Sequence, residues 1–210
     1  MALSPLSRRA GVLSLTAAVL IVLSQVLRLG VLRLGPDWVT TPAYTVTYSI
    51  ALLGMAVLLL ALTAIYTRES AALGTLGLIG YLTAFLGTLM VAGDWWFEAF
   101  VIPRIATEAP EVLDLPISGS VLVGAIATVG LYTVGWTLFG LAALRAHAFP
   151  RAAALLLLVG GLAGPVALST PYQIPLAIAI GWIGLTFESE SRIRLIADDP
   201  RSSSRAGVQA

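Results

Sequence analysis

The chain has 210 residues, 58% hydrophobic and 11% charged, with a mean hydropathy of +0.94. So little polar surface cannot solvate a globule of this size, so lipid must be the solvent for most of it. A net charge of +1, with arginines at the ends of apolar runs rather than in one patch, excludes a nucleic-acid partner.

The residue inventory narrows the chemistry further. The chain has no Cys, which removes disulfides, thiolate metal sites and cysteine nucleophiles. His147 is its one histidine, too few for a bis-histidine haem or a histidine cage within one chain. All twelve basic residues are Arg, which excludes a catalytic or Schiff-base lysine. No metal and no cofactor is expected.

Crossing a hydrocarbon core of roughly 30 Å takes about 20 apolar residues in a helix. Residues 10–29, 47–66, 71–93 and 121–144 supply such runs. The first is preceded by Ser7-Arg8-Arg9, which resembles a twin-arginine signal, but Arg28 and Arg33 stand where a cleavage region would be, so an uncleaved signal anchor is expected. Residues 152–187 are too long for one helix and carry Gly160, Gly161, Gly164, Pro165, Pro171 and Pro175. They read as two short spans, 152–168 and 172–187, turning around Ser169 to Gln173.

The expected fold is all-α: an integral membrane bundle of six helices, with five helices plus a re-entrant hairpin as the alternative. Residues 1–188 form one transmembrane domain, and 189–210 form a cytoplasmic tail that is an amphipathic turn and then disordered. Charge bias favours six spans with both termini cytoplasmic in a plasma membrane. Arg8, Arg9, Arg68, Arg145, Arg151, Arg192, Arg194, Arg201 and Arg205 then lie inside, leaving only Arg28, Arg33 and Arg104 outside. Recurrent small residues (Gly74, Gly77, Gly80, Gly124, Thr128, Gly160 and Gly164) are expected to let helix backbones approach closely.

Chemistry concentrates in the outer segment that begins Asp94-Trp95-Trp96-Phe97-Glu98 and runs through Phe100 and Arg104 to Glu108, Glu111 and Asp114. Its periodicity carries the third helix past the membrane edge, placing Asp94 and Glu98, four residues apart, on one face. Carboxyls so placed perturb each other's ionisation, which suits acid–base chemistry or proton coupling. The plainer reading is a Trp belt at headgroup level with carboxylates in water beyond it. Arg28 lies near the outer edge of the first span, level with Asp94, with Gln25 one turn earlier. It either snorkels to headgroups or turns inward to pair with Asp94 or Glu98. Tyr44, Tyr48, Tyr172 and Gln173 belong to the same level and either line a shallow pocket with Trp95 and Trp96 or complete the belt. Trp136, Thr133 and Thr137 read as packing residues and His147 as a solvated loop residue.

The block Trp96-Phe97-Glu98-Ala99-Phe100-Val101-Ile102-Pro103, followed by Ala109-Pro110-Glu111-Val112-Leu113-Asp114, resembles small multi-pass bacterial membrane proteins of unassigned function that carry a WFEAFVxP-type segment after the third span. The resemblance implies a fold type and no reaction.

The function expected is therefore non-enzymatic: binding a lipid-like or small amphipathic ligand, or a membrane protein partner, through Trp95, Trp96, Glu98, Arg28, Tyr48 and Tyr172. Two alternatives stand beside it: a membrane-embedded enzyme acting on an isoprenoid or lipid with Asp94 and Glu98 as catalytic acid–base pair, and a small proton-coupled transporter.

Overall fold

A computed structural model describes residues 9–31, 36–164 and 173–197, and these are helical with short connections and no strand. Helix α1 is Ala10–Val31, followed by a 3-10 turn, Pro36–Thr40. Helix α2 is Pro42–Phe100, α3 Ile102–Glu108, α4 Gly119–Ala146, α5 Arg151–Leu162 and α6 Ile174–Ala197. Three helical stretches, Ala10–Gly30, Pro42–Glu108 and Gly119–Ala146, are long and apolar enough to cross a membrane.

Helix α2 has 59 residues, which if straight would measure about 88 Å, far more than a bilayer core. It is not straight. Gly74 adopts φ 59° and ψ −158°, a conformation barred to side chains with a Cβ, and there the helix turns back on itself. The two arms, residues 42–73 and 75–100, run antiparallel. Near the turn Tyr66 and Tyr81 stack at 4.3 Å with planes 5° apart, and Thr63 Oγ1 lies 3.2 Å from the Tyr81 hydroxyl. At the far end the Tyr44 hydroxyl donates to Glu98, 54 residues away in sequence.

Glycines set the spacing of the helices. A Cβ at Gly135 of α4 would stand 2.1 Å from the backbone nitrogen of Ala84, and one at Gly87 would stand 2.3 Å from that of Tyr132. Such contact supplies dispersion and frees no water, which is what holds helices together in lipid. Buried between the same elements, the Trp136 indole donates to Thr88 Oγ1 at 3.1 Å. Similar approaches join α4 to α5 (Gly140 on Leu158, Gly161 on Thr137), α5 to α6 (Gly160 on Leu176) and α6 back to α1 (Gly184 on Gly11, Gly181 on Ala18). The helices thus form a closed ring in chain order, with the two arms of α2 side by side in it.

Contacts at the two ends fix the direction of α6. Gln25 Nε2 donates to Gln173 Oε1 at 2.9 Å at the end that carries Tyr44, where both side chains are buried. At the Gly74 end, Arg68 pairs with Glu190 and lies over the Phe187 ring, 3.9 Å from its centroid. Helix α6 therefore runs the full height of the bundle.

Several expectations are revised. Residues 67–70, left between the expected spans 47–66 and 71–93, stay helical, and the reversal falls at Gly74, which packs against nothing. Gly124 also faces open space rather than a neighbouring helix. Helix α6 continues through Ser189 and Ser191, whose hydroxyls bond back to the carbonyls of Thr186 and Phe187 at 2.8 and 2.9 Å. The segment read from Ser189 onward as an amphipathic turn is helical as far as Ala197. His147 is exposed and caps α4 in the left-handed region at φ 52°. The expected break at Ser169 to Tyr172, and the tail from 198 onward, lie outside the described residues.

The ring predicts a contrast between two glycines of α4. Gly135→Ala drives a methyl into the Ala84 backbone and should cost about 1–3 kcal/mol or more, whereas Gly130→Ala meets open space and should be neutral. Thermal unfolding in detergent measures both, and equal midpoints would contradict the close α2–α4 approach.

Candidate functional site

The site is assembled where the first turn of α2 meets the last turns of its second arm. Thr41 caps α2, its side chain accepting from the Tyr44 amide, and Pro42 occupies the first turn where its missing N–H costs nothing. The Thr41 hydroxyl also donates to the Trp38 carbonyl at 2.7 Å, tying the preceding 3-10 turn to the helix. Trp38 consequently packs edge-on against Tyr44 at 4.9 Å, and Tyr44 packs on Tyr48, one turn further, at 4.5 Å. The Arg28 guanidinium of α1 lies 5.2 Å from the Tyr48 ring centroid, a cation–π geometry.

The second arm meets this column from the other side. As the periodicity predicts, it remains helical through Phe100. Glu98 is half-buried and accepts the Tyr44 hydroxyl. Trp95 is 1% exposed, whereas Trp96 is 51% exposed and leans on Phe100 at 6.0 Å. Adjacent helical residues point about 100° apart, so one indole joins the core and the other faces out of the bundle. Asp94 opens into a groove of about 380 Å³ between the second arm and the start of α4, whose other walls are Met90, Val121, Gly124, Ala125 and Thr128. One exposed carboxylate stands at the edge of a largely apolar recess that also includes the Thr128 side chain.

Asp94 and Glu98 lie one turn apart near the end of the second arm, within the long apolar stretch Pro42–Glu108, with the positive charge of Arg28 close to both. Asp94 keeps an exposed face on the groove, whereas Glu98 is half-buried.

Of the residues singled out from sequence, the structure brings Arg28, Tyr44, Tyr48, Asp94, Trp95 and Glu98 to one end of the bundle. Trp96 faces outward, and Tyr172 lies outside the described residues. Trp38 was not anticipated. Its signal was the Thr41-Pro42 cap that follows it, which marks a helix start and places the preceding turn against Tyr44. Gln25 and Gln173 were noted singly, and their hydrogen bond across 148 residues was not foreseen. Among the described residues no group of His, Asp and Glu is arranged to hold a metal ion.

Compared with known proteins, the chain matches no family model, no curated sequence and no solved structure.

Tyr44→Phe removes the donor from the half-buried carboxylate and should cost about 1–3 kcal/mol at neutral pH, measured by thermal unfolding in detergent. An unchanged midpoint would contradict the contact.

Proposed function

We propose that the chain is a multi-pass protein of the cytoplasmic membrane, crossing it six times with both termini in the cytoplasm, and that its outer end binds a small amphipathic or lipid-like molecule. The arginine bias supports the orientation. The alternation of helix direction around the ring supports the six crossings, since Gln173 meets Gln25 at one end and Glu190 meets Arg68 at the other.

One observation carries the binding reading: Asp94 borders a largely apolar groove, with Thr128 as its other polar side chain, that opens between helices at the end carrying Tyr44. Such a recess suits a ligand with an apolar body and a hydrogen-bond-donating or cationic head. Behind it, the network of Arg28, Tyr48, Tyr44 and Glu98 fixes the carboxylates and keeps their surplus negative charge small. A membrane protein partner is a second reading, supported by the exposed apolar run of Leu113, Leu115, Ile117, Val121 and Val123 next to the groove. An acid–base role for Glu98 on a bound isoprenoid or lipid uses the same geometry with the carboxyl protonated.

Native mass spectrometry of the chain released from lipid nanodiscs separates these readings. Binding predicts a retained amphiphile that is lost when Ala125→Trp fills the groove and is held about tenfold more weakly by Asp94→Asn, the scale of one charge-assisted hydrogen bond. Bare protein under all conditions would contradict binding. Retention of a second polypeptide would favour the partner. A chemically altered lipid that disappears with Glu98→Gln would favour the enzyme.

A further inference from the structure

A second recess lies on another face of the bundle, between α1 and α6. It is a groove of about 670 Å³ whose walls, including Leu15, Val19, Val22, Leu23, Ile178 and Trp182, are apolar. The groove exists because these two helices touch through small residues. A Cβ at Gly181 would meet that of Ala18 at 3.1 Å, and one at Gly184 would meet the Gly11 carbonyl at 2.9 Å. With the backbones so close, larger neighbours stand up on either side as walls, and Val19, Ile178 and Trp182 remain 64%, 49% and 42% exposed.

The length suits one acyl chain. From Leu15 to Val26 the groove follows α1 for about 17 Å, close to the roughly 15 Å that a chain fills in one leaflet, and it runs past the middle of the span read at residues 10–29. Toward the Gly74 end it continues into a second depression of about 450 Å³ that shares Leu15 and Leu185 and adds Thr16, Glu188 and Ser189. The Glu188 carboxyl rests on the bare backbone of Gly11, where an added Cβ would stand 2.4 Å from Oε1. Arg9 is exposed one turn before Val12, which lines the same depression. The apolar trough therefore ends, at the level of the inner headgroups, in one carboxylate, two hydroxyls and a nearby guanidinium.

We infer that this composite groove holds a phospholipid of the cytoplasmic leaflet with a primary amine in its headgroup. One acyl chain lies between α1 and α6, the ammonium donates to Glu188 and Ser189, and the phosphate lies on the Arg9 side. A purely anionic headgroup is repelled by Glu188, and a quaternary ammonium has no N–H to give the carboxylate. A helix from a second copy would bury that carboxylate against apolar side chains at large cost. The inference rests on the membrane reading and is independent of the outer site.

The test uses the full chain in nanodiscs containing equal amounts of phosphatidylethanolamine and phosphatidylcholine, with the retained lipid identified by native mass spectrometry. The expected result is about threefold enrichment of the ethanolamine lipid, the scale of one partly exposed ion pair. Glu188→Gln should abolish the enrichment while total retained lipid stays constant. Val19→Trp, a substitution on an exposed wall, should remove the retained lipid. Asp94→Asn should leave the enrichment intact, which separates this site from the outer one. Absence of enrichment in the native chain, enrichment that survives Glu188→Gln, or a dimer-to-monomer change in Val19→Trp with lipid retention unaltered would each overturn the inference.

Discussion

The arrangement at the aromatic end depends on one backbone reversal. Gly74 turns α2 back at a positive φ, and only then does the first turn of that helix come level with its last. Tyr44 and Glu98 meet because the two arms run antiparallel from the turn, and Trp95 is buried because the second arm packs on α4 in that register. A side chain with a Cβ at position 74 would strain the reversal and move every contact above it. Because hydrogen bonding inside the helix continues almost to the glycine on both sides, the turn leaves few backbone groups for lipid or water to satisfy.

Around that hairpin the bundle is held by approach rather than by bulk. Gly80, Gly87 and Gly135 allow backbone contact between α2 and α4, and Gly140, Gly160, Gly161, Gly181 and Gly184 continue the same device to α1. Close contact has a consequence for function, since small residues at a helix contact leave recesses beside them wherever neighbouring side chains are large. Gly181 does this at the groove between α1 and α6, whereas Gly124 at the outer groove touches no neighbouring helix and leaves space by its missing side chain. Polar groups stand at one end of each, Asp94 in the first and Glu188 beside the second.

The sequence made the apolar runs legible because their lengths answer to a fixed bilayer thickness, and it made Arg28, Asp94 and Glu98 legible because charges next to such runs are costly. It did not show that Glu98 would find Tyr44, because that contact depends on the register of two arms separated by 54 residues. Nor did it distinguish Trp95 from Trp96, since either face of an aromatic helix suits a membrane interface. The glycines were read alike as packing positions, whereas Gly74 serves as a turn and Gly124 opens a groove. Composition identifies a small residue, and only the neighbouring helix decides its use. The Arg68–Glu190 pair escaped notice because its partners lie in different hairpins, although each sits in the charged segment that follows an apolar run.

In the proposed six-crossing topology Asp94 and Glu98 lie on one side of the membrane and the Arg68–Glu190 pair on the other. The chain has no native cysteine, so single cysteines at positions 108 and 202 can be labelled in intact cells with a membrane-impermeant maleimide. Labelling is expected at 108 from outside and at 202 only after the membrane is opened. Equal labelling of both positions from outside would contradict the six crossings and, with them, the placement of the two ends.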